Sequence, residues 1–197
     1  MTRLLRSPWL PLALLAVGAV SWWARASRSQ PSPPPAPTYG DFTVNTASGP
    51  LALSSLRGRA VVLYFGYTAC PDVCPTTMST VAAAYAQLPE ASRARAGALL
   101  VSVDPERDEL ERLSSYASWF HPTFRGGTRP EPEIRRIAAD WGVVYRRVEL
   151  EGSALGYAVD HSTDAYLVGP DGDLVRVLPH GMPASQLATA WEAALLR

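Results

Sequence analysis

Cys70 and Cys74 are the only thiols in this chain of 197 residues, and Pro71, Asp72 and Val73 separate them. A thiolate is both a nucleophile and a soft metal ligand. Side chains four apart on a helix share a face, with Cβ atoms roughly 5–6 Å from each other. A disulfide wants Cβ atoms roughly 3.5–4.5 Å apart, so a bridge requires some local adjustment. A metal bound by both sulfurs at about 2.3 Å in a trigonal site needs the sulfurs about 4 Å apart. The spacing therefore suits a metal, and a disulfide with adjustment. A purely structural staple gains little from closing so short a loop.

The flanking residues place this pair. Residues 61–65, Val-Val-Leu-Tyr-Phe, form a short apolar run rich in β-branched and aromatic side chains. It reads as a fully buried strand. Residues 66–69 form a loop. Pro71 suits the first turn of a helix, where its missing N–H is no loss, and residues 76–88 are helix-friendly in composition. Two thiols thus sit where a buried strand hands over to a helix N-terminus. Unpaired N–H groups and the helix dipole there favour negative charge, and with it the thiolate.

The rest of the domain follows in βα units. Residues 41–45 and 51–54 read as a hairpin about Ser48-Gly49-Pro50. Residues 98–103 form a second apolar strand, residues 106–120 a helix and residues 124–127 a short strand. Residues 131–141 form a helix stopped by Gly142. Residues 143–150 alternate as a strand, and residues 151–157 read as a loop. Residues 165–168 and 174–178 make a hairpin about Gly169-Pro170-Asp171-Gly172, and residues 183–196 a closing amphipathic helix. Alternating strands and helices argue for an α/β sandwich. Its order resembles the thioredoxin fold, with the N-terminal β-hairpin as an extension and the helix at residues 131–141 as an insertion.

Residues 1–26 read as a targeting segment, one membrane anchor or a signal peptide. Arg3 and Arg6 precede an apolar stretch over residues 8–24, which Trp22 and Trp23 close. The stretch is short for a spanning helix, which needs roughly 17–25 residues. Ala24-Arg25-Ala26 has the small-x-small form of a cleavage site, but its central Arg and the Trp pair suit an uncleaved anchor better. Residues 27–38, with five prolines, read as a semi-rigid spacer. The folded domain then covers residues 39–197. Net charge is zero, so no nucleic-acid partner is indicated. All 18 basic residues are Arg and none is Lys, a bias of base composition.

A third ligand comes from topology. A single His in a loop is ordinarily a solvated or hydrogen-bonded residue. In a thioredoxin-like layout, however, the loop before the third core strand lies beside the cysteine-bearing helix. That layout puts His161, just ahead of residues 165–168, near Cys70 and Cys74. Two thiolates and one imidazole suit a soft metal, above all Cu(I). Structural zinc would want four protein ligands, and this set offers three.

Four stretches together carry a family resemblance. They are Gly-Tyr-Thr-Ala-Cys-Pro-Asp-Val-Cys-Pro (66–75), Val-Ser-Val-Asp-Pro-Glu-Arg-Asp (101–108), Val-Asp-His-Ser (159–162) and Tyr-Leu-Val-Gly-Pro-Asp-Gly (166–172). In this order they resemble the Sco/SenC family of membrane-anchored, thioredoxin-like copper proteins. The resemblance implies that Cys70, Cys74 and His161 bind copper, as Cu(I) or Cu(II). It implies work on the dinuclear copper A site of cytochrome c oxidase subunit II. It also implies a domain in the bacterial periplasm, held at the inner membrane, with other copper chaperones or thiol–disulfide oxidoreductases as further partners. Ala69 stands where many relatives carry a polar residue, at a position that is not a ligand in that family, and Gly169 replaces an acidic residue common in its turn.

Two enzymatic readings stand beside the metallochaperone. Cys70 and Cys74 could act as a redox pair that reduces the copper-site cysteines of subunit II. Val73-Cys74-Pro75-Thr76 superficially resembles a peroxiredoxin active site, although such a peroxidase needs neither Cys70 nor His161. Other polar residues have quieter readings. Asp72 reads as a helix cap, Met78 as core, and His121 as a cap at a helix C-terminus. Asp104, Arg107 and Asp108 read as a loop-closing ion-pair cluster. Asp164 reads as a solvated carboxylate. His180 and Met182 form a His-x-Met pair that this topology places far from the cysteines.

Overall fold

The structure, a computed structural model, describes residues 36–196. The segment at residues 1–26 and most of the spacer at residues 27–38 lie outside the described residues. Among the described residues no helix is long and apolar enough to cross a membrane.

Among the described residues nine strands and five α-helices follow one another. Strands β1 (Thr43–Thr46) and β2 (Gly49–Ala52) precede a single 3-10 turn at Leu53–Leu56. Then come β3 (Ala60–Gly66), α1 (Val73–Gln87), the one-turn α2 (Glu90–Arg93), β4 (Ala96–Ser102) and α3 (Leu110–Phe120). The chain continues through β5 (Arg125–Gly127), α4 (Glu131–Asp140), β6 (Tyr145–Glu149) and β7 (Tyr157–His161). It closes with β8 (Ala165–Val168), β9 (Leu174–Leu178) and α5 (Ala184–Leu195). The main sheet runs β5-β4-β3-β8-β9. Strands β4 and β5 run parallel to β3, whereas β8 opposes β3 and β9 opposes β8.

All seven residues of β3 and of β4 are buried. That is why both stretches read as unbroken apolar runs: a central strand covered on both faces has no side to give to water. On one face Phe65 and Tyr166 pack against Trp141 at the end of α4, with centroids 6.4 and 5.5 Å from the indole. On the other face Tyr64 points at α1 and meets Cys74. Helix α5 lies along α1, and Trp191 donates its indole N–H to the Ala60 carbonyl at 2.9 Å. Burying each such large side chain contributes on the order of 2–3 kcal/mol.

Several boundaries differ from the sequence reading. Helix α1 starts at Val73, so Cys70 and Pro71 precede it and only Cys74 lies in its first turn. The helix expected from residue 106 starts at Leu110, because Arg107 and Asp108 donate their N–H groups to the Asp104 carbonyl in a separate turn. Residues 157–161 form strand β7, where a loop end was expected. They pair with β6 in a two-stranded ribbon outside the main sheet, with Tyr145 opposite His161. The N-terminal hairpin, the helix at Glu131–Asp140 and the β8–β9 hairpin stand where the sequence put them.

Candidate metal centre

Cys70 lies in the loop between β3 and α1 and is half-buried; Cys74, in the first turn of α1, is fully buried. Both are free thiols. The Cys74 backbone N–H points back at Cys70 Sγ, 3.5 Å away, as expected of an unpaired donor at a helix start. His161 ends β7 and brings Nε2 to 3.4 Å from Cys74 Sγ. The three ligand atoms lie within 4.8 Å of one another.

The imidazole is oriented by its other nitrogen. Nδ1 lies 2.7 Å from the Ser162 carbonyl oxygen. A carbonyl only accepts, so Nδ1 carries the proton and Nε2 turns its lone pair toward the sulfurs. Tyr64 and Tyr67 hold the ring edge-on, with centroids 6.1 and 5.8 Å from it. Tyr67 also accepts the Val159 N–H at 3.3 Å, which ties β7 to the cysteine loop. The Tyr64 hydroxyl donates to Cys74 Sγ at 3.7 Å.

The two thiols ionise unequally. Cys70 is pushed down to about 3, first by the hydrogen bond from the Cys74 thiol, against burial, and further by the N–H groups of Cys74 and Asp72. Cys74 is held far above the ordinary thiol range by that same hydrogen bond to Cys70 and by its burial. The pair thus shares one proton, carried on the inner sulfur, with the charge on the outer one. Burial likewise raises Tyr64, so its hydroxyl remains a donor.

Below the loop, Asp108 is 1% exposed. It accepts the Thr68 N–H at 3.0 Å and the Ser102 hydroxyl at 2.6 Å, and the Thr68 hydroxyl as well. Thr68 stands two residues before Cys70, so this carboxylate pins the cysteine loop to the end of β4. Arg107 pairs with Asp104 at 2.6 Å and stacks on Tyr157, 3.6 Å from its centroid.

Two sulfurs and one imidazole nitrogen at these separations fit a soft ion in three-coordination, and they leave a position open. Among the described residues the set offers no fourth protein donor for structural zinc.

Over residues 30–196 the chain matches the SCO1/SenC family. It belongs to that family. It is 36% identical over 152 residues to Protein SCO1 homolog 1, mitochondrial, of Arabidopsis thaliana, which covers 77% of this chain and 45% of that protein. The chain spans about half the length of the curated relatives it matches first. Among solved structures it is similar to Arabidopsis thaliana ScoI with copper bound, at a TM-score of 0.73 and 32% identity over 80% of this chain and 97% of that one. It is also similar to apo Sco1 of Thermus thermophilus, at 0.70 and 35% over 80% and 90%. The thioredoxin-like fold of this SCO1/SenC chain is shared with those structures.

The sequence reading expects Cys70, Cys74 and His161 beside one another, and the structure places their side-chain donor atoms within 4.8 Å of one another. Other expectations change. Asp72 occupies the N-cap position of α1 but its side chain makes no capping bond; it takes only a long contact of 3.4 Å from the Thr76 hydroxyl. His121 turns to Thr123 and stacks on Tyr85, 4.3 Å between centroids, and caps no carbonyl with its ring. His180 is not remote: Nδ1 lies 3.2 Å from the hydroxyl of Thr77, one turn beyond Cys74. Asp164 accepts the His180 N–H at 3.3 Å. Met78 is core, 1% exposed. Asp108 stands outside the ion pair of its neighbours. Tyr64 and Tyr67 went unremarked in the sequence. Their signal is two phenols bracketing a strand end, each needing a hydrogen-bond partner once buried.

Proposed function

We propose that this chain is a copper metallochaperone that delivers copper to, or prepares, the copper A site of cytochrome c oxidase subunit II. The observation that carries the reading is the convergence of Cys70, Cys74 and His161 within 4.8 Å. A three-donor site with one sulfur half-buried suits transfer, because an incoming ligand finds an open position on the ion. Membership of the SCO1/SenC family and likeness to a ScoI structure with copper bound support copper as the cargo. The leader read from the sequence supports an inner-membrane anchor with the domain in the periplasm; fusing alkaline phosphatase behind residue 197 tests this, and an inactive fusion would refute it.

The copper reading is tested by anaerobic titration of the reduced chain against a Cu(I) chelator, followed by mixing with the soluble domain of subunit II. One tightly held ion that moves to the subunit supports it. An ion held equally well without His161 sinks it.

The unequal thiols support a second reading, thiol–disulfide exchange. The Cys70 thiolate would attack a partner disulfide and form a mixed disulfide, and the first partner sulfur released would take up the Cys74 proton; the Cys74 thiolate would then attack Cys70 Sγ and displace the second partner sulfur, which takes a proton from solvent. The partner gains two thiols as Cys70 and Cys74 become a disulfide. A reduction potential above that of the subunit II disulfide would exclude this role.

A further inference from the structure

The β3 strand has a second end. Seven residues before Cys70's loop begins to matter, at the start of β3, the β1–β2 hairpin, the 3-10 turn and the first residues of β4 surround a cavity of about 390 Å³. That is within the range of roughly 300–1,000 Å³ typical of small-molecule sites. Leu51, Leu56 and Val61 supply apolar lining, Arg59, Arg125 and Ser48 supply polar lining, and no acidic side chain lines it.

Both guanidiniums are uncompensated. Among the described residues no carboxylate reaches salt-bridge distance of Arg59 or Arg125, whereas Arg107, Arg129, Arg135, Arg146 and Arg147 each have one. Arg59 gives one N–H of its Nη2 to the Ala96 carbonyl at 2.7 Å and is thereby held along β4; its other donors have no partner among the described residues. Arg125 on β5 is exposed and makes no side-chain hydrogen bond within the described residues. The neighbouring Arg57, Arg93 and Arg95 add to the same sign, and none of them has an acidic partner at that distance either.

Two forked cations over an apolar floor match one kind of ligand: an anionic headgroup attached to a hydrocarbon body. A guanidinium binds a phosphate through two parallel N–H donors. We propose that this cavity binds an anionic phospholipid, with the phosphate between Arg59 and Arg125 and an acyl chain along Leu51, Leu56 and Val61. A lipid bound there would turn the opposite end of β3, and the thiols, away from the bilayer by about 20 Å, the length of seven strand residues. The inference uses no ligand of the metal centre and stands or falls apart from the copper reading.

The test uses the full chain in a non-ionic detergent, followed through its arginine side-chain NMR signals. Dihexanoylphosphatidylglycerol, dihexanoylphosphatidylcholine and inorganic phosphate are titrated in turn. The expected result is saturable shifts at Arg59 and Arg125 with the anionic lipid, and at least tenfold weaker binding of the zwitterionic lipid and of phosphate. Arg125→Gln should weaken the anionic lipid about fivefold, the effect of one arginine near an anionic surface. Arg176→Gln, which removes the same charge from an exposed position on β9, should leave it unchanged. Equal binding of both lipids, or of phosphate alone, would overturn the proposal. So would equal losses in the two variants, since that would reduce the effect to net charge.

Discussion

The Nε2 atom of His161 stands 3.4 Å from the Sγ atom of Cys74, across 87 residues of sequence. Strand β3 delivers the sulfur through α1, and the β6–β7 ribbon delivers the nitrogen. Neither element contains a complete site. Replacing His161 by Ala should therefore lower Cu(I) affinity by more than about 100-fold, since even loss of outer-shell partners commonly costs 10–100-fold. The fold should survive, because His161 ends a ribbon strand and is only half-buried. Chelator competition and a melting curve on one sample separate the two effects; a melt that collapses with affinity would contradict this account.

The shared proton gives the thiols different chemistry. In the reduced, metal-free protein, iodoacetamide should label Cys70 first, at a rate nearly independent of pH from about 8 down to about 4, because its pKa is about 3. Cys74 should stay unlabelled until Cys70 is replaced by Ser, which removes the largest cause of its raised pKa. The sign for stability follows. An unfolded thiol titrates near 8.5. Cys70 is depressed in the folded state, so its contribution is present above about 8.5 and is lost as pH falls toward about 3. Cys74 is raised, so its contribution is present below about 8.5 and is lost as pH rises beyond it. Denaturation midpoints of wild type and Cys70→Ser, taken from pH 4 to 8, should diverge as pH increases. Parallel curves would show that Cys70 is no thiolate.

Asp108 should matter well beyond its own volume. Asp108→Ala leaves the Thr68 N–H and the Ser102 hydroxyl buried without their acceptor. At about 1–3 kcal/mol for each buried unsatisfied group, the loss should be about 3 kcal/mol. For a domain of this size the Tm should drop by roughly 10 °C. Copper affinity should fall as well, because Thr68 positions the cysteine loop. Calorimetry showing a Tm within about 2 °C of wild type would remove Asp108 from its place as the pin of that loop.

Gly66 offers a probe from beneath the site. A Cβ at this position would lie 2.8 Å from Tyr64 Cε1 and 3.0 Å from Cys74 Sγ. Gly66→Ala must therefore push the inner sulfur or the phenol aside, at about 1–3 kcal/mol for an added methyl in a packed core. The expected readout is a shifted sulfur-to-copper(II) absorption band together with weaker binding. Gly49→Ala, whose Cβ would meet nothing within 4 Å, reports the cost of backbone strain alone at its φ of 112°. An unmoved band in Gly66→Ala would place Cys74 elsewhere.

Much of this arrangement could be read from the chain. The run at residues 61–65 and the pair Cys70 and Cys74 declared a buried strand feeding a helix start, and the hairpin at residues 165–178 declared its turn. His161 followed from the order of the elements. The stretch that forms β7 reads as loop from its sequence, although Tyr157 and Val159 are buried while Asp160 is exposed. Five residues after a Gly-rich turn give too short an alternation to compete with loop composition, and the pairing partner, β6, is exposed along most of its length. The position of His180 beside Thr77 depends on how the β9–α5 connection folds back over α1, which no local pattern encodes. Asp108 was grouped with Arg107 by proximity in sequence, yet burial gave the ion pair to Asp104 and left Asp108 to neutral donors.

The ribbon that carries His161 forms a sheet of its own, separate from the five strands that carry the sulfurs. It is tied to the rest of the domain by the Tyr67 phenol under Val159, by Arg107 reaching the carbonyls of Leu155 and Tyr157 at 3.1 and 2.9 Å, and by the Tyr157 hydroxyl, which donates to Asp104 at 2.7 Å. The nitrogen and the two sulfurs are therefore supplied by parts of the chain that pair their backbones separately, so any substitution that changed how the ribbon docks would shift the nitrogen and leave both sulfurs where they are.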